Sequence, residues 1–283
     1  MSLQYICLNG DSYRTDEHVL SHHNRAFTYG DALFETIHCL GTRPQFLEKH
    51  WERLSQGMKI LKMVSQGVLS SEIIEHFIAR LLNRNRTFKG ARIRLTVFRN
   101  EGGLYTPDAE SVSWLMESTA LENEKYELNR KGLIADIYDE LYKPVNILSN
   151  LKTTNALIYV LAGIYKKKNG LDDCLILNQF GRLAETTHSN LFIKLDDRLI
   201  TPPLSEGCIS GTMRSTIIGI AREEGYVLEE TGILEKYLLN AEEVFITNAI
   251  QGIQWIGTYR EKRYFNFTAR KLLARLNERA FQP

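Results

Sequence analysis

Apolar positions along the first third of the chain switch between two periods. Residues 3 to 9 and Leu33 to Leu40 read as strands. Phe46, Leu47, Trp51, Leu54, Met58 and Leu61 recur at helical spacing, which predicts a helix over Gln45 to Met63. Ser70 or Ser71 caps a second helix running to about Asn83, with Glu72 and Glu75 favourable in its first turns. Ala91 to Arg99 alternates apolar and polar, the pattern of a strand with one wet face, and Ser111 to Met116 is a further strand. From Glu117 to Arg130 the chain is charged and weakly periodic. That stretch predicts a linker over 118–130, between a domain of residues 1–117 and one of 131–283.

The second part opens with a predicted strand over Gly132 to Tyr138 and a helix over Thr154 to Lys168. Strands at Asp173 to Asn178 and Arg182 to Thr187 join through Gln179-Phe180-Gly181, and Ser189 to Leu195 joins Arg198 to Thr201 through Asp196-Asp197. Gly211 begins a helix that ends near Gly225. Glu243 to Thr247 and Ile253 to Tyr259 are strands, and Phe267 to Phe281 is an amphipathic helix. The mixture places the chain in the α/β (α+β) class. It holds neither an internal repeat nor a low-complexity tract.

At 283 residues the chain can bury a sizeable core, and 43% hydrophobic with 24% charged residues is the balance of an ordinary soluble protein. A formal net charge of +1 supplies no field that would draw it to nucleic acid or membrane. The densest basic stretch, Arg80 to Arg94, carries a single aromatic residue, Phe88, and reads as a solvated helix end. Four cysteines, at 7, 39, 174 and 208, form no C-x-x-C pair and predict free thiols in a reducing compartment. With no basic leader before an apolar core and no apolar run of membrane length, the cytoplasm is the expected location. The seven histidines have no ligand spacing with cysteine, so no metal is expected. A G-x-G-x-x-G and a Walker loop are both missing, which leaves dinucleotide and nucleoside triphosphate binding without support.

Candidate chemistry begins at Lys152, in Leu151-Lys152-Thr153-Thr154-Asn155 ahead of an apolar helix. A desolvated lysine loses its charge readily, and a neutral amine attacks carbonyls to form a Schiff base. Downstream, Leu183-Ala184-Glu185-Thr186-Thr187-His188-Ser189-Asn190 sets one carboxylate before small hydroxyl residues and an amide, a set suited to lie under an aromatic cofactor. The pairing points to pyridoxal phosphate. Phosphate is held where backbone N–H groups converge at a helix start. Ile209-Ser210-Gly211-Thr212-Met213-Arg214 offers such a start, Asn248-Ala249-Ile250 offers a turn, and Arg53 offers a bidentate charge. Each has an ordinary reading beside the chemical one: Lys152 as a surface residue, Gly211 as a helix start, Arg53 as a solvated helix face, Asn248 as a turn former.

Five segments together resemble one family. They are Tyr29-Gly30-Asp31-Ala32-Leu33-Phe34-Glu35-Thr36, His50-Trp51-Glu52-Arg53-Leu54, Lys152-Thr153-Thr154-Asn155, Ala184 to Asn190, and Gly211-Thr212-Met213-Arg214. In this order they resemble the class IV aminotransferases, a superfamily of branched-chain aminotransferases, D-amino acid aminotransferases and aminodeoxychorismate lyase. The resemblance implies a fold-type IV pyridoxal phosphate enzyme with a small N-terminal α/β domain and a larger C-terminal pseudo-barrel domain. It implies a homodimer with its active site near the dimer interface. Lys152 would be the Schiff-base lysine and proton shuttle, and Glu185 would pair with the pyridine nitrogen. Arg53, with the backbone of Thr212 and Met213 and of Ala249 and Ile250, would hold the phosphate, while Ser189 and Asn190 would line the ring.

The reaction branch carries mixed signals. Two residues separate Lys152 from Asn155 and Ala156 follows, a spacing that resembles the lyase and D-amino acid branches; branched-chain enzymes place three residues before an Asn-Tyr pair. Thr36 matches a catalytic threonine of the lyase, though β propensity also accounts for it. Thr247 to Ile253 resembles the lyase's Asn-containing turn. Against this, Arg94 matches an arginine that contacts substrate carboxylate in branched-chain enzymes, and Gly102-Gly103-Leu104-Tyr105 lacks the lyase's arginine. Tyr29, Arg94 and Arg99 are the candidate substrate contacts, with Arg92 a further candidate to compensate. The reading favours a 4-amino-4-deoxychorismate lyase-like enzyme, with a branched-chain or D-amino acid aminotransferase as the alternative.

Overall fold

The computed structural model describes residues 4–282, so Leu3 of the first expected strand lies outside the described residues. It divides into two compact units, residues through Lys125 together with Lys152–Asn155, and Tyr126–Leu151 with the chain from Ala156 onward.

The first unit contains β1 (Tyr5–Leu8), β2 (Asp11–Arg14), α1 (Arg25–Tyr29), β3 (Ala32–Leu40), β4 (Arg43–Pro44), α2 (Leu47–Ile60), α3 (Ser71–Arg84), β5 (Gly90–Arg99) and β6 (Val112–Ala120). Its six strands form an antiparallel sheet in the order β2-β1-β6-β5-β3-β4. Alternation along β3 and β5 sends Leu33, Ile37, Ile93, Leu95 and Val97 inward, where they are buried with Leu54 and Met58 of α2 and Ile74 and Ile78 of α3. The opposite face carries Phe34, Thr36, Arg92, Arg94 and Thr96, the wet face that the alternation predicted. Ser70 caps α3 by accepting the Ile73 N–H at 3.3 Å.

The second unit contains β7 (Leu133–Lys143), α4 (Leu157–Lys168), β8 (Asp173–Asn178), β9 (Leu183–Thr186), β10 (Asn190–Leu195), β11 (Arg198–Thr201), α5 (Thr212–Glu223), β12 (Val227–Glu230), α6 (Glu235–Asn240), β13 (Glu243–Asn248), β14 (Gly252–Tyr259), β15 (Lys262–Arg263) and α7 (Phe267–Ala280). Its sheet runs β12-β11-β10-β13-β14-β7-β8-β9, and β9 pairs β10 as well as β8. The strands from β10 round to β9 therefore close on themselves. Closure removes the free edges of those strands. Ile137, Leu175, Leu191, Ile193, Val244, Ile246 and Ile256 belong to the buried cluster of this sheet. On α4, Ile158, Tyr159, Ala162 and Tyr165 pack against Tyr138, Cys174 and Ile176 of β7 and β8.

Several boundaries differ from expectation. The predicted linker 118–130 begins inside β6, which runs to Ala120, and Tyr126 within it is 3% exposed, its hydroxyl donating to Ala249 O at 3.2 Å. An apolar ring among charged neighbours does not register as periodicity. β7 continues to Lys143 through a register shift after Tyr138, where exposed Asp139 and Glu140 interrupt the apolar pattern. The short elements β2, α1, β12 and α6 carry too few residues for a period to show.

The sequence pattern puts residues 152–155 in the C-terminal domain, at the start of a helix from Thr154. The structure groups them with the first unit, and α4 begins only at Leu157. The reason is backbone pairing: Phe34 N donates to Lys152 O at 2.9 Å and Thr154 N to Ala32 O at 3.1 Å, so the lysine run lies along the edge of β3. Gly30 completes the attachment. Its carbonyl accepts from Thr154 Oγ1 and Asn155 Nδ2, both at 2.9 Å. At φ +64 it caps α1 in a left-handed conformation, and a Cβ there would meet Asn155 Oδ1 at 2.7 Å.

Candidate active site

In the first unit, two cationic groups lie over the Phe34 ring. Lys152 Nζ lies 4.5 Å from the ring centroid and Arg94 Cζ lies 3.9 Å from it. Arg94 is the cross-strand partner of Thr36, two residues along the same face of β3. An amine and a guanidinium are thus set on one apolar ring, with Thr36 on the same face of β3. Glu117 of β6 answers Arg94 at 3.8 Å while staying half exposed.

On the opposite face of β3, Glu35 is buried at 2% exposure and meets α2. Its Oε1 accepts from Arg53 Nε at 2.8 Å, its Oε2 also takes Arg53 Nη2, and His50 Nδ1 lies 2.6 Å from Oε2. Burial pushes the Glu35 carboxyl upward, but the Arg53 charge and the His50 hydrogen bond outweigh it and bring it down to about 2. Burial lowers the His50 pKa against the pull of Glu35, so a neutral ring donates from Nδ1 to an ionised carboxylate. Arg53, expected at the phosphate, is 11% exposed in its side chain and forked onto Glu35.

Tyr29 lies at the end of α1, with Arg25 Cζ 4.7 Å from its ring centroid. Arg99, expected at the substrate, is bonded to Asp31 and to two backbone carbonyls. Its Nε donates to Asp31 Oδ2 at 2.8 Å, and Nη1 and Nη2 donate to Lys62 O and Leu61 O at 3.0 and 2.6 Å. Those bonds tie β5 to the end of α2, a structural clamp. Arg25 uses the same Asp31 and holds the carbonyls of Gly102 and Leu104 at 2.9 and 2.8 Å.

In the second unit the remaining candidates converge where β9 meets β10. Glu185, 3% exposed, pairs across the ladder with Asn190. Its Oε1 is taken by Lys143 Nζ and by the Tyr159 hydroxyl at 2.6 Å, and its Oε2 accepts the Ile209 N–H at 2.9 Å. Burial and then the Glu185 charge raise the Tyr159 pKa well above its ordinary value, which keeps its O–H a donor. Asn190 Nδ2 donates to Ile209 O at 2.9 Å, and a Cβ on Gly211 would overlap Asn190 Oδ1. Close approach of the loop to β10 therefore requires a glycine at 211.

Gly211 is the N-cap of α5, which has no side-chain cap and no acid in its first turn. The Thr212 and Met213 amides stand at that helix start, the positive end of its dipole. Ser189 Oγ accepts from Asn248 Nδ2 at 2.9 Å, which brings the turn after β13 to β10. That turn is self-bonded: Asn248 Oδ1 accepts from Ile250 N at 3.0 Å and Gln251 N at 2.8 Å. The Ile250 N–H is thereby engaged within the turn.

Sequence reading missed Lys143, Tyr159, Glu35 and His50 as members of these clusters. Glu35 left a signal: an acid between Leu33 and Ile37 on an inward strand face must find a partner. Lys143 left none, because the exposed run Asp139 to Tyr142 precedes it. Among the described residues, no group of three or more His, Cys, Asp or Glu side chains could hold a metal ion, and no helix is long and apolar enough to cross a membrane.

The second unit thus offers a buried carboxylate at a barrel closure with an uncapped helix start beside it, and the first unit a lysine laid over an aromatic ring. The family model described as amino-transferase class IV matches residues 32–258, and the chain belongs to that family. It is 29% identical over 252 residues to the aminodeoxychorismate lyase of Bacillus subtilis, covering 87% of this chain and 83% of that one. It is 27% identical over 256 residues to the branched-chain-amino-acid aminotransferase of Escherichia coli strain K12, covering 86% and 81%. The fold is that of the T.th. branched-chain amino acid aminotransferase complexed with N-(5'-phosphopyridoxyl)-L-glutamate, with a TM-score of 0.86 at 22% identity, covering 98% of this chain and 94% of that one.

Glu35 makes the fold sensitive to acid. Its carboxyl titrates near 4.5 when unfolded and near 2 in the fold, so the unfolded state binds the proton more tightly. Stability is complete above about pH 5 and is lost as pH falls toward 2, a contribution on the order of 3 kcal/mol. Chemical denaturation at a series of pH values is expected to show that loss in the wild type and a shallower one in Glu35→Gln. Equal slopes would remove Glu35 as its source.

Proposed function

We propose that the protein is a pyridoxal phosphate enzyme that removes the α proton of an amine-bearing, carboxylate-bearing substrate and releases pyruvate by β-elimination, as a 4-amino-4-deoxychorismate lyase does. The observation that carries the reading is the Phe34 face, where Lys152 Nζ and Arg94 lie over one ring and Thr36 pairs with Arg94. Pyridoxal phosphate supplies an electron sink for the carbanion that deprotonation creates. The residues present fit that group. Lys152 offers the amine that would carry it, Glu185 a carboxylate for its ring nitrogen, and the amides of Thr212 and Met213 a seat for its phosphate. Ser189 and Asn190 would lie along the ring. Ala249 remains a candidate donor beside them.

In this reading Lys152 Nζ takes the proton from the substrate α carbon, which requires its neutral form. Arg94 fixes the substrate carboxylate through a forked contact. The Thr36 hydroxyl donates a proton to the oxygen that leaves the β carbon as an enol. Aminotransfer is the second reading. It is favoured by Arg94, which serves an amino acid carboxylate equally well, and by the likeness to the Escherichia coli aminotransferase.

A homodimer accompanies both readings. Leu157, Val160, Leu161 and Ile164 form an i, i+3, i+4, i+7 stripe on α4 with exposures of 76, 52, 42 and 60%. A stripe of that kind favours a partner surface of like character. Light scattering is expected to give twice the chain mass, and a monomer at micromolar concentration would sink the assignment.

The reaction is tested by offering 4-amino-4-deoxychorismate, and separately a panel of L- and D-amino acids with a 2-oxo acid. Pyruvate release from the first without conversion of the cofactor to pyridoxamine 5'-phosphate by the second is the expected result. Conversion by an amino acid without pyruvate release establishes the aminotransferase instead. Lys152→Ala is expected to lose turnover in either case, by at least a thousandfold; near wild-type turnover would contradict both readings.

A further inference from the structure

Glu185 is more heavily engaged than a simple partner for a ring nitrogen needs to be. A carboxylate has about four acceptor positions. Lys143 and Tyr159 occupy Oε1, and the Ile209 N–H occupies one position of Oε2. Among the described residues, what remains open is the second position of Oε2. Lys143 is 5% exposed at the end of β7, and its Nζ lies 5.4 Å from the Tyr159 ring centroid. Burying an ammonium beside a carboxylate costs desolvation of both, and an apolar pair would pack there as well. A device of that cost at the candidate site implies a use for the charge.

We propose that Lys143 is a positioning residue for the cofactor ring: it holds Glu185 as a carboxylate and leaves Oε2 to receive the proton of the ring nitrogen. The proposal rests on the reading that Glu185 pairs with that nitrogen. The titratable groups facing Glu185 are Lys143 from β7, Tyr159 from α4 and Cys208 from the loop before α5, with Arg214 of α5 acting on Cys208. Its ladder neighbours Ile176 in β8 and Asn190 in β10 do not titrate. Burial first, and then Glu185, push the Cys208 thiol up to about 12, so it stays neutral. Tyr159 is likewise a neutral donor. Among the described residues, Lys143 is therefore the cation in contact with Glu185. Without it the buried carboxyl takes up a proton, and a protonated ring can then bind only if one proton is released.

The test is calorimetric titration of pyridoxamine 5'-phosphate into cofactor-free protein between pH 6 and pH 9. It compares the wild type with Lys143→Met, Lys143→Gln and Lys143→Arg. The neutral variants are expected to bind more weakly than wild type by a ratio that grows at least tenfold as pH falls across this range, with proton release seen in buffers of differing ionisation heat. Lys143→Arg is expected to restore the wild-type profile. Lys143→Gln keeps a donor without the charge and serves if Lys143→Met does not fold. A ratio that stays constant with pH means a merely structural role and overturns the proposal. Failure of the wild type itself to bind pyridoxamine 5'-phosphate overturns instead the cofactor reading beneath it.

Discussion

Everything in the second unit's candidate site follows from one constraint: a carboxylate has been buried at the seam where six strands close. Glu185 sits on β9, which pairs with β8 on one side and β10 on the other. Leaving such a group without donors costs several kcal/mol, so the surroundings are arranged around it. β7 extends past its apolar stretch and delivers Lys143, α4 turns Tyr159 inward, and the loop before α5 approaches closely enough to donate the Ile209 N–H. The same loop is held by Asn190 and by Asn150, which donates to Leu204 O and Cys208 O at 2.9 and 2.6 Å. Fixing the loop fixes the start of α5. The position of that helix start is thus a consequence of how one acid is satisfied.

The first unit solves a similar problem with the opposite outcome for access. Glu35 is buried among α2 side chains and held ionised by Arg53 and His50. Its role is to brace β3 from behind, while the other face of the strand presents Phe34 and Thr36. Lys152 reaches that face because its own backbone is bonded to the edge of β3. A helix start would have left the amine to the motions of an exposed turn. Strand pairing gives it the rigidity of the sheet, which the proposed role of Lys152 as the reacting amine requires.

Much of this was legible in the sequence where periodicity is long. The helices α2, α3, α5 and α7 and the strands β3, β5, β8, β10 and β13 lie within a few residues of where their spacing placed them. The family segments carried the fold class, because five motifs in order constrain a topology that no single one does. What escaped was set by tertiary context. Lys143 looks like a surface lysine after Leu141 and Tyr142 until the shifted register of β7 turns it inward. Tyr126 looks like linker until it packs in the second unit. Arg99 enters the sequence reading as one of the arginines able to compensate for the lyase arginine missing at Gly102 to Tyr105, and its bonds to Asp31, Leu61 and Lys62 show only in the fold. Charged residues are the hardest to read, since one residue type serves solvent, scaffold and chemistry alike.

The account stands on Lys152 as the residue that carries the cofactor, and a buried lysine, Lys143, is also present among the candidate residues. The direct measurement is borohydride reduction of the protein loaded with pyridoxal phosphate, followed by peptide mapping by mass spectrometry. The account predicts a phosphopyridoxyl group on Lys152 and none on Lys143. A label on Lys143, or no label on either lysine, would contradict it.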